Sequence, residues 1–196
     1  MIKNISQITT PNLFIRPYTL SDAAELRNAI TESLDSLLPW MPWAFDEPQD
    51  VHKKEELINS WIDARSKGED FVFAIFDKSN TFAGSTGLHL RVGPGALETG
   101  YWIRKKFHRK GFATEAAYAM TKAGLIYGEI EKMILKCDAK NEISSRIPRR
   151  LGYTYIGESF SKIHNAMHLN FCMSKNEFKE MKEFESTDIY MIDNTE

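Results

Sequence analysis

Cysteine is scarce in this chain of 196 residues: only Cys137 and Cys172 occur, each inside an apolar run, "MILKCDA" and "LNFCMS". Two such thiols exclude a disulfide scaffold and predict free, buried cysteines in a reducing compartment. Long apolar runs are missing too. No stretch approaches the roughly 20 residues of a membrane span, and "MIKNISQITTPN" at the start holds no apolar core of signal-peptide length. The expectation is a cytoplasmic protein without a membrane partner. Charge of one sign is also lacking: the net charge is −2 and the sequence pI about 6.2. The chain as a whole is therefore not drawn to nucleic acid, and any basic cluster is a local feature suited to a local anion. Neither G-x-x-x-x-G-K-[ST] nor G-x-G-x-x-G is present, which removes the P-loop and disfavours a nicotinamide cofactor. No internal repeat, low-complexity tract or linker divides the sequence.

What is present reads as one mixed α/β domain over residues 1–185, followed by a loose tail at 186–196. Hydrophobic residues make up 42% and charged residues 27%, enough for a substantial single core. "LFIRP" is a short strand, and Ser21-Asp22 caps a helix to about Ser33. "LLPWMPWAFDEP" is punctuated by proline and cannot be regular helix. Asp50 opens a second helix through Lys67, with Gly68 as its stop. "FVFAIF", "TFAGSTGLHL" and "ALETGYWI" follow as strands joined by turns, then a helix from about Ala113 to Tyr127 and the strand "KMILKCDA". "ISSRIPRRLG" is a short helix, "YTYIGESF" and "AMHLNFCMS" a closing pair, and a charged helix starts at Asn176. The pattern predicts a mostly antiparallel sheet of about seven strands, flanked by helices, with one strand–helix–strand crossover in the middle.

That crossover carries the most informative stretch, "FHRKGFATEAA". Six of the seven residues from Arg104 to Lys110 are basic or histidine, and Gly111 then opens a helix of small residues. A strand end, a glycine turn and a helix start leave several main-chain N–H groups aimed at one point, which favours an anion. Taken alone, the turn reads as a basic, solvated loop rather than an anion site.

It does not stand alone. In their order and spacing, "LFIRPYTLSDAAEL", "LPWMPW", "LETGYWI", "GFATEA" and "NEISSRIPRRLGY" resemble the GNAT superfamily of acyl-CoA-dependent N-acetyltransferases. The likeness is nearest to its RimJ/RimL-type branch of ribosomal-protein N-terminal acetyltransferases and covers residues 11–175. The resemblance implies the GNAT fold with a splayed sheet, acetyl-CoA as co-substrate, and a protein N-terminus or a small amine as acceptor. It puts the pyrophosphate turn at His108, Arg109, Lys110, Gly111, Phe112, Ala113 and Thr114, and the pantetheine arm along Trp102, Ile103 and Arg104. Asn141, Ser144 and Arg146 match the segment bordering the thioester and the rest of the coenzyme. His108 stands where the family usually has arginine or glutamine, and Arg109 where glycine is frequent. Pro148 falls inside the helix that follows Ser144 and is expected to bend it.

Acetyl transfer to nitrogen needs a neutral amine, stabilisation of an oxyanion, and a proton for the leaving thiolate. At pH 7.5 a chain-terminal α-amine is already about one-third neutral, a lysine-like amine only roughly one part in a thousand. Glu98 is the candidate base and Ser144 the candidate donor to sulfur. An alternating strand also explains Glu98 as a solvated carboxylate, and a helix cap explains Ser144. Trp40 and Trp43 are candidates to roof the acceptor pocket. Asp46, Glu47 and Asp50 beside them form an acidic cluster that either attracts a cation or caps the next helix. His164 and His168 straddle a turn and do not make a metal site. The competing function is a non-catalytic acyl-CoA sensor of the same fold. Whether the chain is a monomer or a homo-oligomer is open at this level.

Overall fold

The computed structural model of the chain describes residues 2–179 and 186–192. Its centre is β3 (Asp70–Asp77) and β4 (Phe82–His89), the runs "DFVFAIFD" and "FAGSTGLH". Both are inside on both faces, which is why they read as near-continuous apolar or small residues. β5 (Ala96–Ile103) pairs with β4 antiparallel from His89↔Glu98 to Gly84↔Ile103. On the other side of β3 lie β2 (Leu13–Pro17) and β1 (Ile5–Thr9). β6 (Lys132–Asp138) joins β5 in parallel, and β8 (Ala166–Ser174) and β7 (Thr154–Ser161) follow it antiparallel.

Helices cover the two faces. α1 (Ala23–Leu37) and α2 (Val51–Lys67) lie on one, burying Leu26, Ala29, Ile30 and Ile58 with Ala74, Phe76 and Phe82. α2 starts on Asp50, whose side chain accepts from the Lys53 N–H, and ends at Gly68, left-handed at φ 75°. α3 (Phe112–Tyr127) crosses the other face between β5 and β6. Its inner face is Ala116, Ala117, Ala119, Met120 and Ala123, all fully buried, so the helix sits close to the sheet. α4 (Glu142–Arg150) and α5 (Lys175–Lys179) complete the set, and the rest of the expected C-terminal helix lies outside the described residues. α4 runs on through Pro148 to Arg150, so the proline does not end it.

Three expectations change. The sheet has nine strands among the described residues rather than about seven; with β9 (Asp188–Met191) at one edge, the order is β7-β8-β6-β5-β4-β3-β2-β1-β9. One addition is β1; the other is β9, which pairs with β1, so this part of the expected loose tail is an edge strand. α1 continues to Leu37, a turn past Ser33, because Ile30, Ser33 and Leu37 keep its apolar stripe buried. The proline-rich aromatic segment is not regular helix, as expected, and holds a short 3-10 turn at Pro42–Asp46.

Candidate active site

β5 and β6 part company. Their parallel pairing runs only from Ala96↔Lys132 to Thr99↔Leu135, while β5 continues to Ile103 and β6 to Asp138. The two strands therefore form a fork whose open side is lined by Gly100, Tyr101 and Trp102 from β5 and Lys136, Cys137 and Asp138 from β6. Which backbone groups face the fork follows from the antiparallel alternation on the β4 side. The Arg104 N–H donates to the Ala83 carbonyl at 2.8 Å, so Arg104 and, two residues back, Trp102 turn their main-chain groups toward β4. Tyr101 and Ile103 turn theirs toward the fork. Of the expected trio of Trp102, Ile103 and Arg104, only Ile103 presents its backbone there. Tyr101, which sequence reasoning passed over, is the second.

Arg104 is committed elsewhere. Its guanidinium is buried against α1, donating to Glu32 at 2.8 Å, to Glu25 at 3.3 Å and to the Phe82 carbonyl at 3.4 Å. Its own carbonyl accepts from the Phe107 N–H. It braces α1 to the sheet, and the expectation that it lines a ligand arm is corrected.

Beyond the fork the chain makes a 3-10 turn at Lys105–Phe107 and reaches α3 through His108–Gly111. Arg109 and Gly111 are both left-handed, at φ 62° and 81°. That alternation curls successive N–H groups inward, the geometry of an anion nest. Among the described residues, none of the main-chain N–H groups from Arg109 to Thr114 has a protein acceptor. The turn is held from behind. The ring of Phe107 stacks on Phe112 with centroids 5.4 Å apart, and His108 Nε2 lies 2.8 Å from the Ile103 carbonyl. The Arg109, Lys110 and His108 side chains are exposed, so they add charge around the nest without building it. Glu115, buried in the first turn of α3, accepts from Asn12 N–H at 2.7 Å, from the Asn12 amide at 3.0 Å and from the Thr10 hydroxyl. It pins the helix start to the β1–β2 turn.

On the helical side of the fork, Asn141 caps α4 by accepting from the Ser144 N–H at 3.0 Å. The Ser144 hydroxyl lies 3.4 Å from the Tyr101 hydroxyl and within reach of the Cys137 thiol, whose pKa burial pushes up to about 11. Burial also drives the Tyr101 pKa well above its usual range, so at neutral pH these three groups are all protonated O–H or S–H donors. The cap is Asn141 and not Ser144, so the reading of Ser144 as a helix cap is corrected; its hydroxyl is left free of that duty and lines the cavity. Arg146 points away, exposed, with only a loose pair to Glu142 at 3.6 Å. It is not brought to the fork.

The opposite face of the fork opens into a cavity of about 810 Å³ roofed by α2 and the aromatic segment. Trp40 and Trp43 line it as expected, with Trp43 6.2 Å from Trp102. Of the acidic cluster, Asp50 caps α2 and Glu47 forms a buried pair with Lys54, which leaves Asp46 at the rim. Glu98 is on the cavity floor and only 6% exposed. Burial raises its pKa, but Arg91, donating through Nε at 2.9 Å, and Lys136, 3.0 Å from its other oxygen, bring it below the usual carboxylate range. Both oxygens are occupied. Glu98 is a clamped anion, which weakens it as a proton acceptor. Sequence reasoning missed Arg91, Lys136, His89 and Asp70 because their convergence depends on strand register. His164 and His168 stack edge to face at 4.6 Å on the cavity wall, and no group able to hold a metal occurs among the described residues.

Comparison with known proteins gives a match of residues 12–154 to the family described as Acetyltransferase (GNAT) domain. Over 161 residues the chain is 26% identical to a protein of Bacillus subtilis (strain 168) named "Putative ribosomal N-acetyltransferase YdaF", covering 80% of this chain and 86% of that one. Among solved structures, the ribosomal L7/L12 alpha-N-protein acetyltransferase RimL in complex with coenzyme A superposes with a TM-score of 0.76 at 18% identity, covering 86% of this chain and 97% of that one. The microcin C7 self-immunity acetyltransferase MccE, in complex with acetyl-CoA and AMP, gives 0.76 at 19% identity over 84% and 93%. At these identities the structural likeness is one of fold.

Proposed function

The chain belongs to the GNAT acetyltransferase family, and from that premise we propose that it transfers an acetyl group from acetyl-CoA directly to the α-amine of a protein N-terminus, both substrates bound together. The observation that carries this reading is the nest of main-chain donors from Arg109 to Thr114, next to a strand that has left its neighbour. Acetyl-CoA supplies the activated acyl thioester and a diphosphate handle. The donors of the nest hold the diphosphate, and the fork-facing N–H groups of Tyr101 and Ile103 hold the arm. Ser144, oriented by Asn141 and backed by Tyr101, offers an O–H at the fork for the departing sulfur. Trp40, Trp43 and Trp102 exclude water from the acceptor side. Glu98 contributes fixed negative charge on the cavity floor.

An α-amine suits this cavity because it is about one-third neutral near pH 7.5, so a modest base suffices. The names of the relatives, which concern ribosomal proteins, point the same way. The test is thiol release from acetyl-CoA with peptides carrying a free α-amine, with polyamines and with aminoglycosides. Release with the peptides, abolished when their α-amine is blocked, is the expected result. Release only with small amines replaces the acceptor. Calorimetric binding of acetyl-CoA with no release from any amine makes the chain a non-catalytic sensor.

A further inference from the structure

His89 is the last residue of β4 and sits between Asp70 of β3 and Glu98 of β5 in one cross-strand row. Directly opposed residues point to the same face, so the three side chains stand side by side on the cavity floor. They are not equivalent. Both oxygens of Glu98 are taken by Arg91 and Lys136. His89 has one nitrogen committed and one open: Nδ1 lies 2.6 Å from Asp70 Oδ1, and among the described residues Nε2 has no partner. A carboxylate only accepts, so the hydrogen of the neutral ring is on Nδ1 and the lone pair on Nε2.

The ring lies over a glycine. A methyl group at Gly87 would meet Cε1 and Nε2 of His89 at 2.8 Å, so the basic edge of the ring lies over Gly87 and needs the missing side chain there. Gly87 pairs with Gly100, whose own missing side chain leaves nothing within 4 Å. Gly100 is the first residue of β5 past Thr99, where the pairing with β6 stops. Nε2 is thus carried, along a bare strip of sheet, to the row at which the fork opens.

Resting on the transferase reading above, we propose that His89, oriented by Asp70, is the base that takes the proton from the acceptor ammonium, in place of Glu98. Nε2 accepts one proton from the ammonium, and the imidazolium is stabilised by the Asp70 carboxylate. The freed nitrogen lone pair forms the C–N bond as the C–S bond breaks. The second proton leaving nitrogen goes to the departing thiolate, which becomes the free thiol, and the imidazolium returns its own proton to solvent. An α-amine holds its proton less tightly than a lysine amine by about 2.5 pKa units, so one base in the site frees the α-amine class more readily.

His89→Gln is expected to lower kcat on the order of 100-fold with the calorimetric affinity for acetyl-CoA unchanged. Asp70→Asn should lower kcat by less, and Gly87→Ala, which displaces the ring, should lower kcat in a chain of unaltered coenzyme affinity. Full turnover in His89→Gln overturns the proposal while leaving the transferase reading intact. A readout independent of turnover is the long-range ¹H–¹⁵N spectrum of the histidine rings. A neutral His89 bearing its hydrogen on Nδ1 is expected; a hydrogen on Nε2 overturns the assignment even if no acceptor amine is ever found.

Discussion

A single glycine shows how much at the residue scale depends on backbone conformation. Gly111 has open space where a side chain would go, yet its φ of 81° is one that L residues enter at a cost of about 1–2 kcal/mol. Gly111→Ala is therefore expected to leave the fold intact and weaken acetyl-CoA binding on the order of tenfold, since roughly 1.4 kcal/mol is one decade. Calorimetry decides it, and an unchanged Kd would mean that the nest does not hold the diphosphate. Arg109, at φ 62°, gives the converse case, a residue already bearing that cost. Gly111 was legible in the sequence only in company, as one member of the ordered set "LETGYWI", "GFATEA" and "NEISSRIPRRLGY". The base was not. His89, Asp70 and Glu98 are separated in the chain and meet only through strand register, a property that local spacing does not encode. Arg104 was misassigned for a related reason: its neighbours in sequence are basic, but its partners Glu25 and Glu32 lie far back on α1.

At the scale of the element, the central strands and α3 were readable because their burial is uniform or strictly periodic. β1 was hidden because its buried residues, Ile5 and Ile8, are three apart and an irregularity between Ile5 and Gln7 breaks the alternation. β9 has only four residues and half-buried apolar side chains, so nothing local distinguishes it from a tail. These edge strands matter to the site through the β1–β2 turn, which grips α3. Glu115, only 3% exposed, takes three hydrogen bonds there from Thr10 and Asn12. Truncation strands those donors, so Glu115→Ala is expected to lower stability by about 2–3 kcal/mol in urea titration. The same change loosens the start of α3, and acetyl-CoA affinity should fall with it. Lost stability with the coenzyme Kd intact would show that the nest is set by the Phe107–Phe112 stack instead.

The whole molecule responds to acid through groups on both halves of the sheet. His164 and His168 are shifted below the ordinary histidine value of 6.5, first by burial, then by Arg91 on His164 and by His164 on His168. The unfolded chain therefore binds protons at these positions more readily than the folded one. Their contribution to stability is full above pH 6.5 and falls as the pH drops through the interval down to their folded values. Asp22, held by Arg16 at 2.8 Å, and Glu98, held by Arg91 and Lys136, are lowered from 3.8 and 4.5 respectively, net of the burial that opposes the shift. Their contribution is present above those values and is lost as the pH falls through the lower folded ones. The urea midpoint should accordingly decline in two stages, a first below about 6.5 and a second below about 4.5. Changing both His164 and His168 to Gln is expected to flatten the first stage and leave the second. A first stage that persists in that double variant would assign it elsewhere. In the folded protein the two histidines gain charge only at their lowered values, beneath the onset of the first stage, and it is there that positive charge accumulates on the cavity wall beside the clamped Glu98, where a cationic amine must enter. The KM for the amine should therefore rise on acidification later than the urea midpoint begins to fall.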